Sequence, residues 1–392
     1  MKRIAGSTAI MVLTLAACQE PAAPDGVRAP EEGPTFSQEA KAKDVIPGHY
    51  IVVFRDDVAD ADATSEKLLR KFNAKSKYKY SAALKGFAGE LSDAQVEALR
   101  GEPEVAYIEE DQVVHTTATQ TAPVYGLDRI DERALPLSGS YTYTATASTV
   151  RAYIIDTGIQ TSHSQFGGRA SAVYDAFGGN GQDCNGHGTH VAGTVGSATY
   201  GVAKAVLLRG VRVLDCGGSG SNSGVVAGIN WVATNRIAPA VANLSLGGGF
   251  SQATNDAINN LANRGVFVAV AAGNENQNAC NVSPASAANA TTVAASTSSD
   301  AKASYSNYGN CVEVYAPGSS IKSTWLNGGT NTISGTSMAS PHVAGVGALY
   351  KATYGDVSYS TIRSWIINNS TANVITGNVT GTPNKLLFKS TL

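Results

Sequence analysis

Charge is scarce in this sequence. Only 15% of its 392 residues are Asp, Glu, Lys or Arg, and they nearly cancel, leaving a net charge of −2. So little excess of positive charge excludes a globally basic nucleic-acid binder. With 43% hydrophobic residues, the chain also has too much to bury to remain disordered. Aromatic residues are few, at 7%, with three tryptophans and three methionines, so the core must be built from small aliphatics packed among 41 glycines. Long apolar runs are missing too. The uncharged, largely apolar stretch near the N-terminus, Ile4 to Ala17, is shorter than the roughly 20 residues of a spanning helix. The five cysteines do not form the closely spaced pairs that bind zinc. There is no repeat of fixed period.

The charge that is present is unevenly placed. Residues 41–111 carry 25 of the 60 charged side chains, while the 281 residues from 112 onward carry only 27. A small charged module is followed by a large, dry, glycine-rich one. Ahead of both, Lys2 and Arg3 precede the apolar Ile4–Ala17 stretch in the pattern of a secretory signal over residues 1–18. Leu15-Ala16-Ala17-Cys18 resembles a bacterial lipobox, so Cys18 is expected to give the precursor a transient lipid anchor. Residues 19–47, rich in Pro, Ala and Glu, are expected to be a disordered tether. Cysteine usage fits export. Beyond Cys18 there are four, Cys184, Cys216, Cys280 and Cys311, an even number that allows three pairings. Their order does not choose among them.

Residues 48–115 alternate between strand and helix patterns. His49–Phe54 reads as a strand and Ser65–Phe72 as an amphipathic helix. Lys79–Leu91 reads as a hairpin turning near Lys85-Gly86. Ser92 to Gln95 is a capping box opening a helix that Gly101 stops, and Val105–Val113 closes as a strand. The order βαββαβ predicts a small α+β, ferredoxin-like domain. From about residue 118 to 392 the pattern becomes strand then helix. Val150–Ile155, Leu207–Leu214, Ala240–Leu246 and Val266–Ala272 are buried-type strands, with helices at Ser223–Thr234 and Ala253–Asn263. This predicts an α/β fold with a doubly wound, mainly parallel sheet flanked by helices, whose reactive groups gather at the carboxyl ends of strands.

Three motifs stand at such ends. Ile154-Ile155-Asp156-Thr157-Gly158 puts a carboxylate where a strand meets a glycine turn. Asp183-Cys-Asn-Gly-His187-Gly-Thr-His-Val-Ala-Gly puts a histidine at a helix start. Gly335-Thr-Ser337-Met-Ala-Ser-Pro341 does the same with a serine, and the proline reads as lying in the first turn, where a missing N–H costs nothing. Each alone has an ordinary explanation as a turn, a structural histidine or a helix cap. Together they follow the Asp, His, Ser order of one of the known nucleophilic triads. His187 would take the Ser337 proton, with Asp156 orienting the imidazole. Asn274, after Ala271-Ala272-Gly273, and the backbone N–H of Ser337 would supply the oxyanion donors.

These motifs resemble those of the subtilisin-like serine proteases (subtilases) of the proteinase K subfamily, most of all its aqualysin-type members. The resemblance runs from about Ala118 to Leu387. It implies a secreted serine endopeptidase acting on protein and peptide substrates through an acyl-enzyme. Residues 48–115 would be its own propeptide, at once folding aid and inhibitor, removed by self-cleavage within Val114 to Thr119. The mature form would be a monomer with no nucleic-acid partner. Gly218, Ser219 and Gly220, and Ser245, Leu246, Gly247 and Gly248, would be edges between which substrate lies as an added strand. With Ala271, Ala272 and Gly273, the second edge would line a first pocket without charge at its base, favouring apolar or aromatic side chains at P1. The cysteines would pair as Cys184–Cys216 and Cys280–Cys311. Structural Ca2+ is implied at one or two places. One would use the carbonyls of Ala288 and Ala290 with Glu313, where family members carry aspartate. The other would use Asp128, Asp131, Glu132 and Ser138. An esterase with the same triad, or a non-catalytic binding protein on the same fold, are the rival readings.

Overall fold

The computed structural model describes residues 45–112 and 118–392, and the chain divides at residue 114 into two units. The expected leader with Cys18, residues 19–44 of the expected tether and residues 114–117 of the expected cleavage region lie outside the described residues. The first unit runs strand Val45–Phe54, helix Ala61–Lys71, strands Tyr78–Tyr80 and Gly86–Glu90, helix Asp93–Arg100 and strand Val105–Gln112. Its four strands pair antiparallel, with Val45–Phe54 between Gly86–Glu90 and Val105–Gln112. Val52, Phe54, Leu68, Phe87, Leu99 and Ile108 close the space under the helices. The Ser92–Gln95 capping box is formed.

Two boundaries move. The first strand begins at Val45, inside the stretch read as tether, because Val45 pairs with Gln112 at the far end of the closing strand. The first helix starts a turn before Ser65, because the Asp60 side chain accepts the Ala63 N–H at 2.9 Å and caps it.

The second unit is organised by a nine-stranded sheet. Seven of its strands run Val314–Pro317, Thr291–Ser296, Phe267–Ala271, Ala240–Leu244, Arg151–Asp156, Leu207–Arg212 and, at the edge, Ala170–Asp175, all parallel. Alternation explains why Arg151–Asp156 is apolar throughout its interior. Ala152 and Ile154 face a core that includes helices His187–Gly196 and Thr336–Tyr354. Tyr153 and Ile155 face the core of helices Asn222–Asn235 and Gln252–Asn263. Both sides of the strand are therefore covered.

The strand order reverses beside Arg151–Asp156. From it the chain builds Ala170–Asp175 and Leu207–Arg212 on one side, then crosses to Ala240–Leu244 and Phe267–Ala271 on the other. Such a reversal opens a crevice at the carboxyl ends. Three adjacent strands thus deliver Asp156, Ser245 and Asn274 to one edge of the sheet. Both disulfides form as the resemblance implied, Cys184–Cys216 and Cys280–Cys311, with Cα–Cα distances of 5.0 and 5.4 Å. Among the described residues, no helix is long and apolar enough to cross a membrane.

Candidate active site

Asp156 ends its strand with no solvent exposure. Its Oδ1 accepts from the Thr157 N–H at 2.8 Å and lies 2.7 Å from His187 Nδ1. Among the described residues, Oδ2 is buried without a partner. A carboxylate facing Nδ1 requires the proton there, which leaves Nε2 of the neutral ring as an acceptor. Burial of the imidazole opposes its protonation. The charge and hydrogen bond of Asp156 outweigh that effect, with help from Asp183, and hold His187 above its ordinary value of 6.5.

Asp183 was legible in the motif but had no assigned role, and the structure gives it several contacts. Its Oδ1 accepts from Thr157 Oγ1, Asn185 N and Gly186 N at 2.9 to 3.0 Å, and its Oδ2 from Thr189 N and Oγ1 at 2.9 and 2.6 Å. One buried carboxylate therefore ties the turn after Asp156 to the start of the helix bearing His187. That helix is capped by Gly186 at φ 106°, a conformation that favours glycine. A Cβ there would also lie 2.5 Å from the Trp325 ring.

Ser337 is the second residue of helix Thr336–Tyr354, so its N–H has no partner within the helix. The helix starts early enough to put Pro341 in the second turn, not the first. The missing N–H is then the one that would have bonded to the Ser337 carbonyl. Ser245 Oγ donates to that carbonyl instead, at 2.7 Å, while Ser337 Oγ donates to the Ser245 carbonyl at 3.1 Å. Behind them Asn243 Nδ2 donates to Ser245 Oγ at 2.9 Å, and Ser340 Oγ donates to Asn243 Oδ1 at 2.7 Å. Asn243 and Ser340 are buried polar residues that sequence reasoning passed over. A polar pair inside otherwise apolar segments was the only sign of them. Among the described residues, Ser337 Oγ has no hydrogen bond to His187 in this conformation.

Asn274 is exposed. Its Oδ1 accepts from Thr336 N at 2.8 Å and Thr336 Oγ1 at 3.0 Å, which leaves the amide Nδ2 as the free end. The two donors converge. A Cβ built on Gly335 would lie 3.6 Å from the Ser337 N and 3.7 Å from Asn274 Nδ2. A cavity of about 510 Å³ runs past His187, Gly218–Gly220 and Ser245–Gly248. A second, of about 360 Å³, is lined by Leu246–Gly249, Ala271, Gly273, Asn274, Val282 and Ser337 among others. Two details differ from expectation. Ala272 does not line the pocket, because alternation turns it into a separate buried cluster. Glu275, which was not among the expected residues, also lines the pocket, held by Asn307 Nδ2 at 2.8 Å.

The expected calcium ligands divide into two cases. Among the described residues, no three His, Cys, Asp or Glu side chains converge as a metal cluster. Asp128 is buried; its Oδ2 accepts from Gly139 N at 3.1 Å, and its Oδ1 has no partner among the described residues. Glu132 accepts from Ser138 N at 2.9 Å. Asp131 is engaged by Lys389 at 2.8 Å and Thr142 N at 2.7 Å. An orphaned, buried carboxylate oxygen fits a cation, so Asp128 is the residue of this set that suits calcium, while Asp131 is already neutralised. Ala288, Ala290 and Glu313 do not fit. Arg363 Nη1 donates to the Ala288 carbonyl at 2.6 Å, and its Nη2 pairs with Glu313 Oε1. A guanidinium already stands against the Ala288 and Glu313 oxygens, two of the three expected there.

The electrostatics give a direct expectation. In a titration of the His187 ring followed by NMR, the wild-type midpoint lies above 6.5. In Asp156→Asn the charge and the carboxylate hydrogen bond are gone, burial acts with little opposition, and the midpoint falls. An unchanged midpoint in the variant would contradict this account.

The sequence profile of the Subtilase family matches residues 149–386, and that of Peptidase inhibitor I9 matches residues 49–117. An extracellular serine proteinase of Thermus sp. (strain Rt41A) is 48% identical, over 97% of each chain. A cuticle-degrading protease of Metarhizium anisopliae is 43% identical, over 92% of this chain and 94% of its own. Among solved structures, a cold adapted subtilisin-like serine proteinase superposes with a TM-score of 0.67 at 49% identity, over 69% of this chain and 99% of its own. Family profile, full-length relatives and fold agree: the chain belongs to the subtilase family, with an I9 inhibitor segment ahead of its peptidase domain.

Proposed function

We infer that the protein is a secreted serine endopeptidase that hydrolyses peptide bonds and matures by removing its I9 segment. The observation that carries the mechanism is the buried Asp156 carboxylate at 2.7 Å from His187 Nδ1, on the cleft that also holds Ser337 and Asn274. We propose that substrate lies as an added strand between Gly218–Gly220 and Ser245–Gly248. A Cβ on Gly248 would meet nothing within 4 Å, so there is room for backbone at that edge. The Ser337 hydroxyl turns from the Ser245 carbonyl to Nε2 of His187, which takes its proton as Oγ attacks the scissile carbonyl. The imidazolium formed is stabilised by Asp156. The oxyanion is met by Asn274 Nδ2 and the Ser337 N–H, and His187 then protonates the leaving amine. Water repeats the sequence on the acyl-enzyme. The cavity beside Ala271 and Gly273 would take the P1 side chain, preferably apolar or aromatic. Two edges for an extended peptide favour a protease over the esterase reading.

We place the maturation cut within Val114 to Thr119, supported by the I9 match ending at residue 117 and the unit division at 114. Subtilases commonly bind structural calcium, and here Asp128 would hold it, where the ion would neutralise a buried carboxylate.

Three outcomes test this reading. Asn274→Ala lowers kcat by about 10²–10³ with KM little changed, since the amide is used as the oxyanion forms; a loss confined to KM would misplace the residue. Purified Ser337→Ala precursor remains uncut and inert towards casein, with a kcat loss on the order of 10⁶; self-processing by that variant, with no other protease present, would remove Ser337 as nucleophile. Chelator lowers the wild-type Tm and excess calcium restores it, the ion adding about 2.7 kcal/mol of stability at 100 times Kd. The response disappears in Asp128→Asn, and a variant that responds like wild type would exclude Asp128 as a ligand.

A further inference from the structure

We propose that Arg363 is a built-in cation that takes the place of a metal ion at the Ala288–Glu313 cradle. The pieces come from three separated parts of the chain. Ala288 lies in the segment between Pro284 and strand Thr291–Ser296, Glu313 immediately precedes strand Val314–Pro317, and Arg363 projects from helix Tyr359–Asn369. Nη1 of the guanidinium donates to the Ala288 carbonyl at 2.6 Å, and Nη2 pairs with Glu313 Oε1. The other carboxylate oxygen accepts from Thr292 N at 2.5 Å. Both oxygens of Glu313 are thus occupied, and its side chain is only 10% exposed. A carbonyl and a carboxylate facing one point are oxygen donors of the kind calcium gathers, with water completing its six to eight. A guanidinium needs only the two offered here, because its planar fork carries fixed N–H donors and a charge that is not lost near neutral pH.

The exchange changes what this corner of the fold depends on. A bound ion stabilises only to the extent that its concentration exceeds its Kd. A tethered guanidinium is present at every calcium concentration. The segment it holds leads back to Asn281, Val282 and Ser283, which form one wall of the 360 Å³ pocket beside Ser337. That wall is anchored to the C-terminal helix by a permanent charge, so chelation leaves it in place. The extra methylene of Glu313, compared with aspartate, carries the carboxylate out to Arg363.

The test counts calcium. Purified enzyme, silenced with a fluorophosphonate, is dialysed against labelled calcium and the ions bound per chain are measured. Glu313→Gln binds as many ions as wild type, because no metal rests on that carboxylate. Arg363→Ala binds one more than wild type, and its lowered Tm in chelator recovers further on adding calcium than the wild-type Tm does. A count that falls by one in Glu313→Gln would overturn the proposal by putting a metal where the guanidinium is assigned. A folded Arg363→Ala protein that gains no ion would overturn it as well. Should Arg363→Ala fail to fold, the Glu313→Gln count decides alone.

Discussion

A carboxylate with no access to water, hydrogen-bonded to an imidazole at a cleft, is the constraint around which the second unit is arranged. Isolated at the end of a buried strand, Asp156 would be expensive to keep ionised. It is tolerable because His187 and the Thr157 N–H meet one of its oxygens. The same low-dielectric surroundings that make the charge costly also make it effective in stabilising an imidazolium. Asp183 serves this pair from behind, holding the turn after Asp156 and the start of the His187 helix on a single side chain. The pair therefore arrives with its geometry set by the fold, and substrate does not have to assemble it.

The serine is held by a different device, a reciprocal pair of hydrogen bonds between Ser245 and Ser337, one of which fills the carbonyl that Pro341 leaves open. A residue that would ordinarily weaken a helix interior here leaves one carbonyl open, and a neighbouring strand end fills it. Asn243 and Ser340 extend the contact into the core, so the helix that carries Ser337 is joined to the central sheet by a satisfied polar network. Adjacent parallel strands then explain why distant parts of the sequence, Asp156, Ser245 and Asn274, share one edge. The strand reversal beside Arg151–Asp156 opens the crevice they face.

Much of this was legible beforehand, for physical reasons that can be named. Strands buried on both faces announce themselves as apolar runs, and the capping box at Ser92 carries its own start signal, so both units were readable. Asp156, His187 and Ser337 stand out because their motifs combine reactive side chains with glycines that only tight turns require. What could not be read were contacts between segments far apart in sequence. Pro341 looked like a first-turn proline because the start of its helix depends on the Asn274–Thr336 contact. Ala272 was grouped with the pocket because three consecutive residues cannot reveal which way a strand alternates. The resemblance assigns Glu313 to a metal, and its actual partner, Arg363, lies 50 residues away on a helix with no local mark of that role.

We propose that Ser337 is the one serine activated by the His187–Asp156 pair. The most direct measurement treats wild-type enzyme with a fluorophosphonate, digests it and maps the adduct by mass spectrometry, alongside His187→Ala. The account predicts a single adduct on Ser337, formed far more slowly once the base is removed. An adduct on another serine, such as Ser245 or Ser340, or labelling undiminished in His187→Ala, would contradict it.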